Sequence, residues 1–331
     1  MSMNADASLH RGDSALTGRK LSRRTAELQE EAARPSTANK KPKVDTKTPY
    51  DYRRIQGERR TLVRQTCSAM GFDMTYNIST DLDSATLKKF DFLLAIPDMK
   101  LIYCYVPKVS CTSWKRLLLS LNGYTCFLND TCGADAHMLA RKRFVRMSRM
   151  TVAAAQEIFT SYTSFFFVRN PYSRVLSAYL EKVLYHPESK IQNELTEWFK
   201  EHHPDQTHEN QSQPFTYREF ITHYMKAGEK NQHWEDMNKL CFPCHVNYDF
   251  IGHYETLKPD SDFILDLANA PANVRFPTPQ KKPTYSSDEE TLAKFYSQLT
   301  DQDLDRLTVS RGFATDATMF GYQMPDCIRR D

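Results

Sequence analysis

At 331 residues the chain suits one large domain, alone or with a tail, and is long enough to bury a substantial core. Its net charge of +3 is uneven: residues 1–60 hold 14 Lys and Arg against 8 Asp and Glu (+6), and the remainder holds 30 against 33 (−3). Bulk charge therefore excludes the folded part as a general nucleic-acid binder, and any anion site in it must be local.

Residues 1–58 have little apolar periodicity and much Ser, Thr, Ala, Lys and Arg, and read as a disordered polar and basic tail or stem. A short helix is expected near Arg23 to Ala33, and KKPK at 40–43 reads as part of the solvated tail. No apolar signal region follows Met1 and no run of 18 apolar residues occurs, so no membrane anchor is expected in this chain. A single domain is expected over 59–331.

FDFLLAIP (90–97) and LIYCYV (101–106) read as strands around a turn at Asp98. The second strand runs through Pro107 and Lys108 into small hydroxyl residues and a helix from about Thr112 to Leu121. A strand, a lysine-bearing loop and a helix N-terminus make an anion cradle, with Lys108, the hydroxyls of Ser110, Thr112 and Ser113, and free backbone N–H groups as donors. The nucleoside-triphosphate version needs glycines in a G-x-x-x-x-G-K-[ST] pattern, and this loop has none, which argues against a P-loop kinase.

SFFFV (164–168) is a continuous apolar run, the pattern of a strand buried on both faces. After it, RNPYSRVLSAYLEKVLY has apolar residues at 172, 175, 176, 179, 180, 183 and 184, which is helical spacing, with Pro171 in the first turn. Arg169 ends the strand and Ser177 lies near the start of the helix, a fork and a hydroxyl suited to a phosphate. The plainer alternative is an Arg capping a sheet edge and a Ser packed in a helix. YDFIGHYETL (248–257) reads as a strand leading into a helix through Asp262 to Ala268, and helices fit 216–226, 287–299 and 301–309. The alternation predicts a three-layer α/β/α domain with a central parallel sheet.

Eight cysteines and three N-x-[ST] sequons, at Asn77, Asn129 and Asn210, point to a secretory compartment, disulfides and a glycoprotein. Cys241 and Cys244 form the one C-x-x-C, which can close on itself or bridge to other cysteines. No second pair or His-x₃₋₅-His stands at zinc spacing, so no metal site is expected.

Taken together, VPKVSCTSWKRLL resembles the 5′-phosphosulfate loop of the Golgi carbohydrate sulfotransferases, and FVRNPYSRVLSAY resembles their 3′-phosphate segment. The likeness is to the chondroitin and dermatan 4-O-sulfotransferase branch. It extends to ADAHMLARKRF (134–144) and HWEDMNKLCFPCHVNYDFIGHYETL (233–257), and runs from about Arg59 to Pro325. The resemblance implies a P-loop-like sulfotransferase fold, 3′-phosphoadenosine 5′-phosphosulfate as cosubstrate, no metal, and a glycan or proteoglycan acceptor. It also implies a Golgi lumenal enzyme anchored as a type II membrane protein. Cosubstrate contacts are implied for Pro107, Lys108, Val109, Ser110, Cys111, Thr112, Ser113, Trp114, Arg169 and Ser177, with Trp114 as a wall of the nucleotide or a core residue. Asn170 stands where the family usually has an acidic residue, and an amide there still caps a helix. A catalytically inactive homologue that binds acidic glycans is the rival reading; intact Lys108, Arg169 and Ser177 argue against it.

Histidine is the natural base near neutral pH, and ten are present. His10 lies in the tail, and His202, His203 and His208 in a polar stretch that reads as a loop. His137 and His233 lie within the family-like blocks. His137 precedes a basic run (Arg141, Lys142, Arg143 and Arg146) suited to steering an acidic glycan, and is the expected base, with His233 the alternate.

Overall fold

The computed structural model describes residues 51–127, 131–133, 135–186, 189–202, 215–227, 231–277, 284–310 and 312–330. The expected tail helix, the sequons at Asn129 and Asn210, and His203 and His208 lie outside the described residues. Asn77 is exposed and caps a single helical turn, its Oδ1 accepting from the Ser79 N–H at 3.0 Å. Among the described residues no helix is long and apolar enough to cross a membrane.

Helix α1 (Tyr52–Ala69) begins ahead of the boundary expected at Arg59. Asp51 caps it, and Tyr52 is buried against the Phe263 ring at 4.1 Å with its hydroxyl donating to the Pro259 carbonyl at 2.6 Å. Those contacts draw residues 51–58 out of the expected tail.

Strands β1 (Leu93–Ile96) and β2 (Leu101–Cys104) form an antiparallel hairpin that pairs Leu93 with Cys104 and Ile96 with Leu101. Its turn, Pro97–Met99, closes through Lys100 in the left-handed region at φ 49°. Helix α2 (Cys111–Leu121) follows, then α3 (Ala136–Arg143), β3 (Val145–Arg146), α4 (Val152–Ser161), β4 (Thr163–Val168) and α5 (Pro171–Tyr179). A π-helical turn, Leu180–Leu184, continues α5. After it come α6 (Lys190–His202), α7 (Tyr217–Ala227), α8 (Met237–Cys241), β5 (Phe250–His253) and α9 (Leu257–Leu267). Helices α10 (Glu289–Tyr296), α11 (Asp301–Ser310) and α12 (Phe313–Phe320) complete the order. His202 ends α6 rather than lying in a loop, because Ile191 and Leu195 give that stretch a buried helical face.

The sheet order is β3-β1-β2-β4-β5. Strands β2, β4 and β5 are parallel, as the alternating pattern predicts, while β1 runs antiparallel to both β2 and β3. The four residues between β1 and β2 cannot carry the crossover that parallel pairing needs, so the first hairpin makes the sheet mixed. Every residue of β1, β2 and β4 is buried, so both faces are covered. Gly252 pairs with Phe167 across β4 and β5, where a Cβ would lie 2.3 Å from the Phe167 ring. A second apolar cluster joins α5 to Tyr217, Phe220, Trp234, Tyr296 and Leu307.

The C-x-x-C does not close on itself. Cys244 bonds Cys67 of α1, Cys241 bonds Cys104 at the end of β2, and Cys126 bonds Cys132. Cys111 and Cys327 are free thiols. Replacing Cys104 and Cys241 together with Ala is expected to lower unfolding stability by about 2–5 kcal/mol, read by denaturant titration without reductant. A midpoint equal to that of the parent protein would refute the bridge.

Candidate active site

Because β2 and β4 are parallel neighbours, the loops that leave their C-terminal ends lie side by side, where open α/β sheets bind ligands. The first loop follows a costly path: Lys108 and Ser110 both take left-handed conformations, φ 68° and 53°, without being glycine. Two buried arginines hold it there. Arg169 Nη1 donates to the Lys108 carbonyl at 3.1 Å, and Arg174 Nε donates to the Pro107 carbonyl at 3.0 Å. Ser110 occupies the N-cap of α2, where its hydroxyl makes no capping bond to the first-turn N–H groups.

The loops border a cleft of about 580 Å³. Pro107, Lys108, Ser110, Cys111, Thr112, Ser113, Arg169, Ser177, His137 and His233 all line it. Val109 and Trp114 do not. Trp114 is wholly buried among Tyr103, Phe165, Phe167 and Phe276, which is the core placement of the two that the sequence left open. Val109 likewise turns its side chain into the core.

Arg169 lies over the Tyr254 ring with its guanidinium 4.2 Å from the centroid, and its Nη2 donates to the hydroxyls of Ser286 and Ser287, both at 2.8 Å. Its Nε is buried and has no hydrogen-bond partner among the described residues. Ser177 Oγ lies 3.5 Å from Thr284 Oγ1, which in turn lies 2.9 Å from Ser286 Oγ. Arg169 and Ser177 are thus joined through a hydroxyl chain from a third segment. Asn170 caps α5 by accepting from the Tyr172 N–H at 3.1 Å, while its own N–H donates to Glu255.

Sequence reasoning did not single out Glu181, Lys182, Lys115 or Arg174. Lys108 is ion-paired to Glu181, whose Oε1 lies 3.2 Å from Lys182 Nζ. Burial pushes the Glu181 carboxyl up, but the two lysines outweigh it and hold it at about 2. Burial lowers Lys108 in turn, with Glu181 offsetting part of the effect. The signal for Glu181 was a charged pair inside an apolar helical run. Its pairing partner, 73 residues away, was not legible.

His137 packs against one face of α2, where Thr112 and Lys115 stand three residues apart: Nε2 lies 2.9 Å from Thr112 Oγ1 and Nδ1 lies 3.2 Å from Lys115 Nζ. Burial, and then the Lys115 charge, lower its pKa below 6.5. Lys115 sits 3.5 Å above the Tyr105 ring, and burial lowers it to about 8. His233 Nδ1 donates to Asn231 Oδ1 at 2.8 Å, and burial, Lys182 and Lys108 hold its pKa at about 4. Both imidazoles are neutral at pH 7. Of the expected basic run, Arg141 and Arg146 line the cleft, whereas Arg143 pairs with Asp98 at 3.0 Å. Among the described residues no group of three or more His, Cys, Asp or Glu is arranged to hold a metal ion.

Residues 92–323 match the sulfotransferase family. The chain is 30% identical to carbohydrate sulfotransferase 11 of Mus musculus over 249 residues, covering 72% of this chain and 69% of the relative. It is 32% identical to carbohydrate sulfotransferase 9 of Homo sapiens over 68% of this chain and 52% of the relative. Carbohydrate sulfotransferase 14 of Danio rerio is 28% identical over 85% and 75%. No solved structure matches the chain.

Arg174 also donates to the carbonyls of Glu235 at 2.7 Å and Gln232 at 3.1 Å, so one side chain ties the Lys108 loop to the segment that carries His233. Arg174→Ala removes these bonds together with the buried one to the Pro107 carbonyl and is expected to cost about 3 kcal/mol of stability, measured by chemical denaturation. A loss below about 1 kcal/mol would show that water or neighbouring groups replace it.

Proposed function

The chain belongs to the sulfotransferase family, and from that membership we propose that it transfers a sulfuryl group from 3′-phosphoadenosine 5′-phosphosulfate to a sugar hydroxyl of a glycan. A chondroitin- or dermatan-like N-acetylgalactosamine 4-hydroxyl is the favoured acceptor, by likeness to the 4-O branch. The carrying observation is that Lys108, Thr112, Arg169 and Ser177 line one cleft at the ends of two adjacent parallel strands. The unpartnered Arg169 Nε and the uncapped start of α2 suit a ligand with two separated anionic groups. Three disulfides and an exposed Asn77 sequon support a place in the Golgi lumen.

When bound, the donor supplies a sulfuryl group activated by its bond to the 5′-phosphate. Lys108 compensates the charge that grows on the leaving phosphate oxygen as the acceptor oxygen bonds to sulfur. Thr112 and the first-turn N–H groups of α2 hold that phosphate. Arg169 and Ser177 take the 3′-phosphate and so separate this donor from ordinary adenylates. His137 accepts the acceptor hydroxyl's proton at Nε2, which Thr112 vacates by turning to the phosphate. That role needs the ring proton on Nδ1 with Lys115 as its acceptor, a state that a lysine lowered to about 8 reaches readily.

Binding tests the donor assignment. Titration with 3′-phosphoadenosine 5′-phosphate is expected to raise the melting temperature while ATP does little. Arg169→Ala is expected to cut affinity for the bisphosphate by about 1.5–3 kcal/mol and to affect 5′-adenylate far less. Equal weakening of both nucleotides would make Arg169 purely structural.

His137→Ala is expected to lose turnover by about two to four orders of magnitude with bisphosphate affinity intact. Because the active state needs Lys115 neutral and His137 unprotonated, kcat/KM is expected to climb with pH toward about 8 as Lys115 gives up its charge, and to fall more steeply below pH 6.5, where His137 takes a proton. Activity retained in His137→Ala but lost in His233→Ala would move the base to His233.

A further inference from the structure

We propose that Glu181 is an internal competitor of the donor: it holds Lys108 while the cleft is free of nucleotide, and a ligand's phosphate must take the lysine from it. The inference rests on the donor reading given above.

Lys108 has little freedom in the donor-free cleft. Its backbone is fixed at φ 68°, its carbonyl is held by Arg169, and its ammonium is largely buried with Glu181 as its ion-pair partner. The carboxylate reaches it from the π-helical turn that continues α5. Such a turn is wider than an α-helical one and is commonly found at functional sites. Here Glu181 and Lys182, both within that turn, line the cleft.

The exchange is electrostatically closed. Glu181 uses one oxygen for Lys108 and the other for Lys182, so it keeps a cation when Lys108 leaves. Lys108 in turn passes from a monoanionic carboxylate to a more highly charged phosphate, and no charge is left buried alone. A neutral or weakly anionic ligand gains too little from Lys108 to displace the carboxylate. Glu181 therefore sets a threshold of ligand charge for entry, separate from the shape of the site.

Calorimetric titration with 3′-phosphoadenosine 5′-phosphate tests this in the full chain. Glu181→Gln frees Lys108 and is expected to tighten binding by about tenfold. Glu181→Asp keeps the charge but is one methylene shorter, and is expected to tighten binding as well, by about threefold. In a Lys108→Ala background the same two substitutions are expected to change affinity less than twofold or so. Unchanged or weaker binding by both variants would overturn the competition, as would equal tightening with and without Lys108, which would reflect a general loss of negative charge. If the wild-type protein binds no bisphosphate, the donor reading falls and the competition with it; if the wild type binds and the variants do not tighten, the competition alone falls.

Discussion

The parallel pairing of β2 with β4, Leu101 against Thr163 through Cys104 against Phe166, is the constraint on which the rest of the cleft depends. It brings the C-terminal ends of two strands together although their loops are some sixty residues apart in the chain, Lys108 and Arg169 being separated by 61. A slip of one residue would exchange the faces of every side chain in the strand, and the fully buried flanks of both strands forbid it. The backbone strain at Lys108 and Ser110 is braced from two sides, by Arg169 on the Lys108 carbonyl and by Arg174 on the Pro107 carbonyl.

Charge is distributed against the bulk trend. Residues 61–331 carry a net −3, yet the cleft is lined by Lys108, Lys115, Arg141, Arg146, Arg169 and Lys182 against the single carboxylate of Glu181 among the described residues. Half-buried cations that outnumber their counter-ions are costly, and a ligand with several negative charges relieves that cost on binding. The depressed pKa values of Lys115, His137 and His233 share this origin. Each group resists taking or keeping a proton because it is desolvated next to other cations.

The segment that carries His233 is fixed from three directions. Arg174 holds its carbonyls, the Cys104–Cys241 bridge ties α8 to β2, and Asp316 accepts from the N–H groups of Met237 at 2.6 Å and Asn238 at 3.0 Å. Burial, with Asp236 nearby, raises the Asp316 carboxyl to about 6. This segment links the sheet core to the second apolar cluster, through Leu240 on one side and Trp234 on the other. The cleft wall is therefore part of the fold and not an appended loop.

The sequence by itself determined the local elements and the chemistry each one offers. Continuous apolar runs such as SFFFV declared buried strands, the spacing from Tyr172 to Leu184 declared a helix, and a lysine loop at a helix start offered donors for an anion. These are properties of neighbouring residues, set by the side-chain periods of strand and helix. Tertiary structure alone decided which distant groups meet. It turned Trp114 into the core and sent the two cysteines of the C-x-x-C to different partners. It also set Glu181 on Lys108 and Lys115 on His137. An ion pair or a tautomer depends on distance and burial, and neither is encoded in the order of residues until the strands have paired.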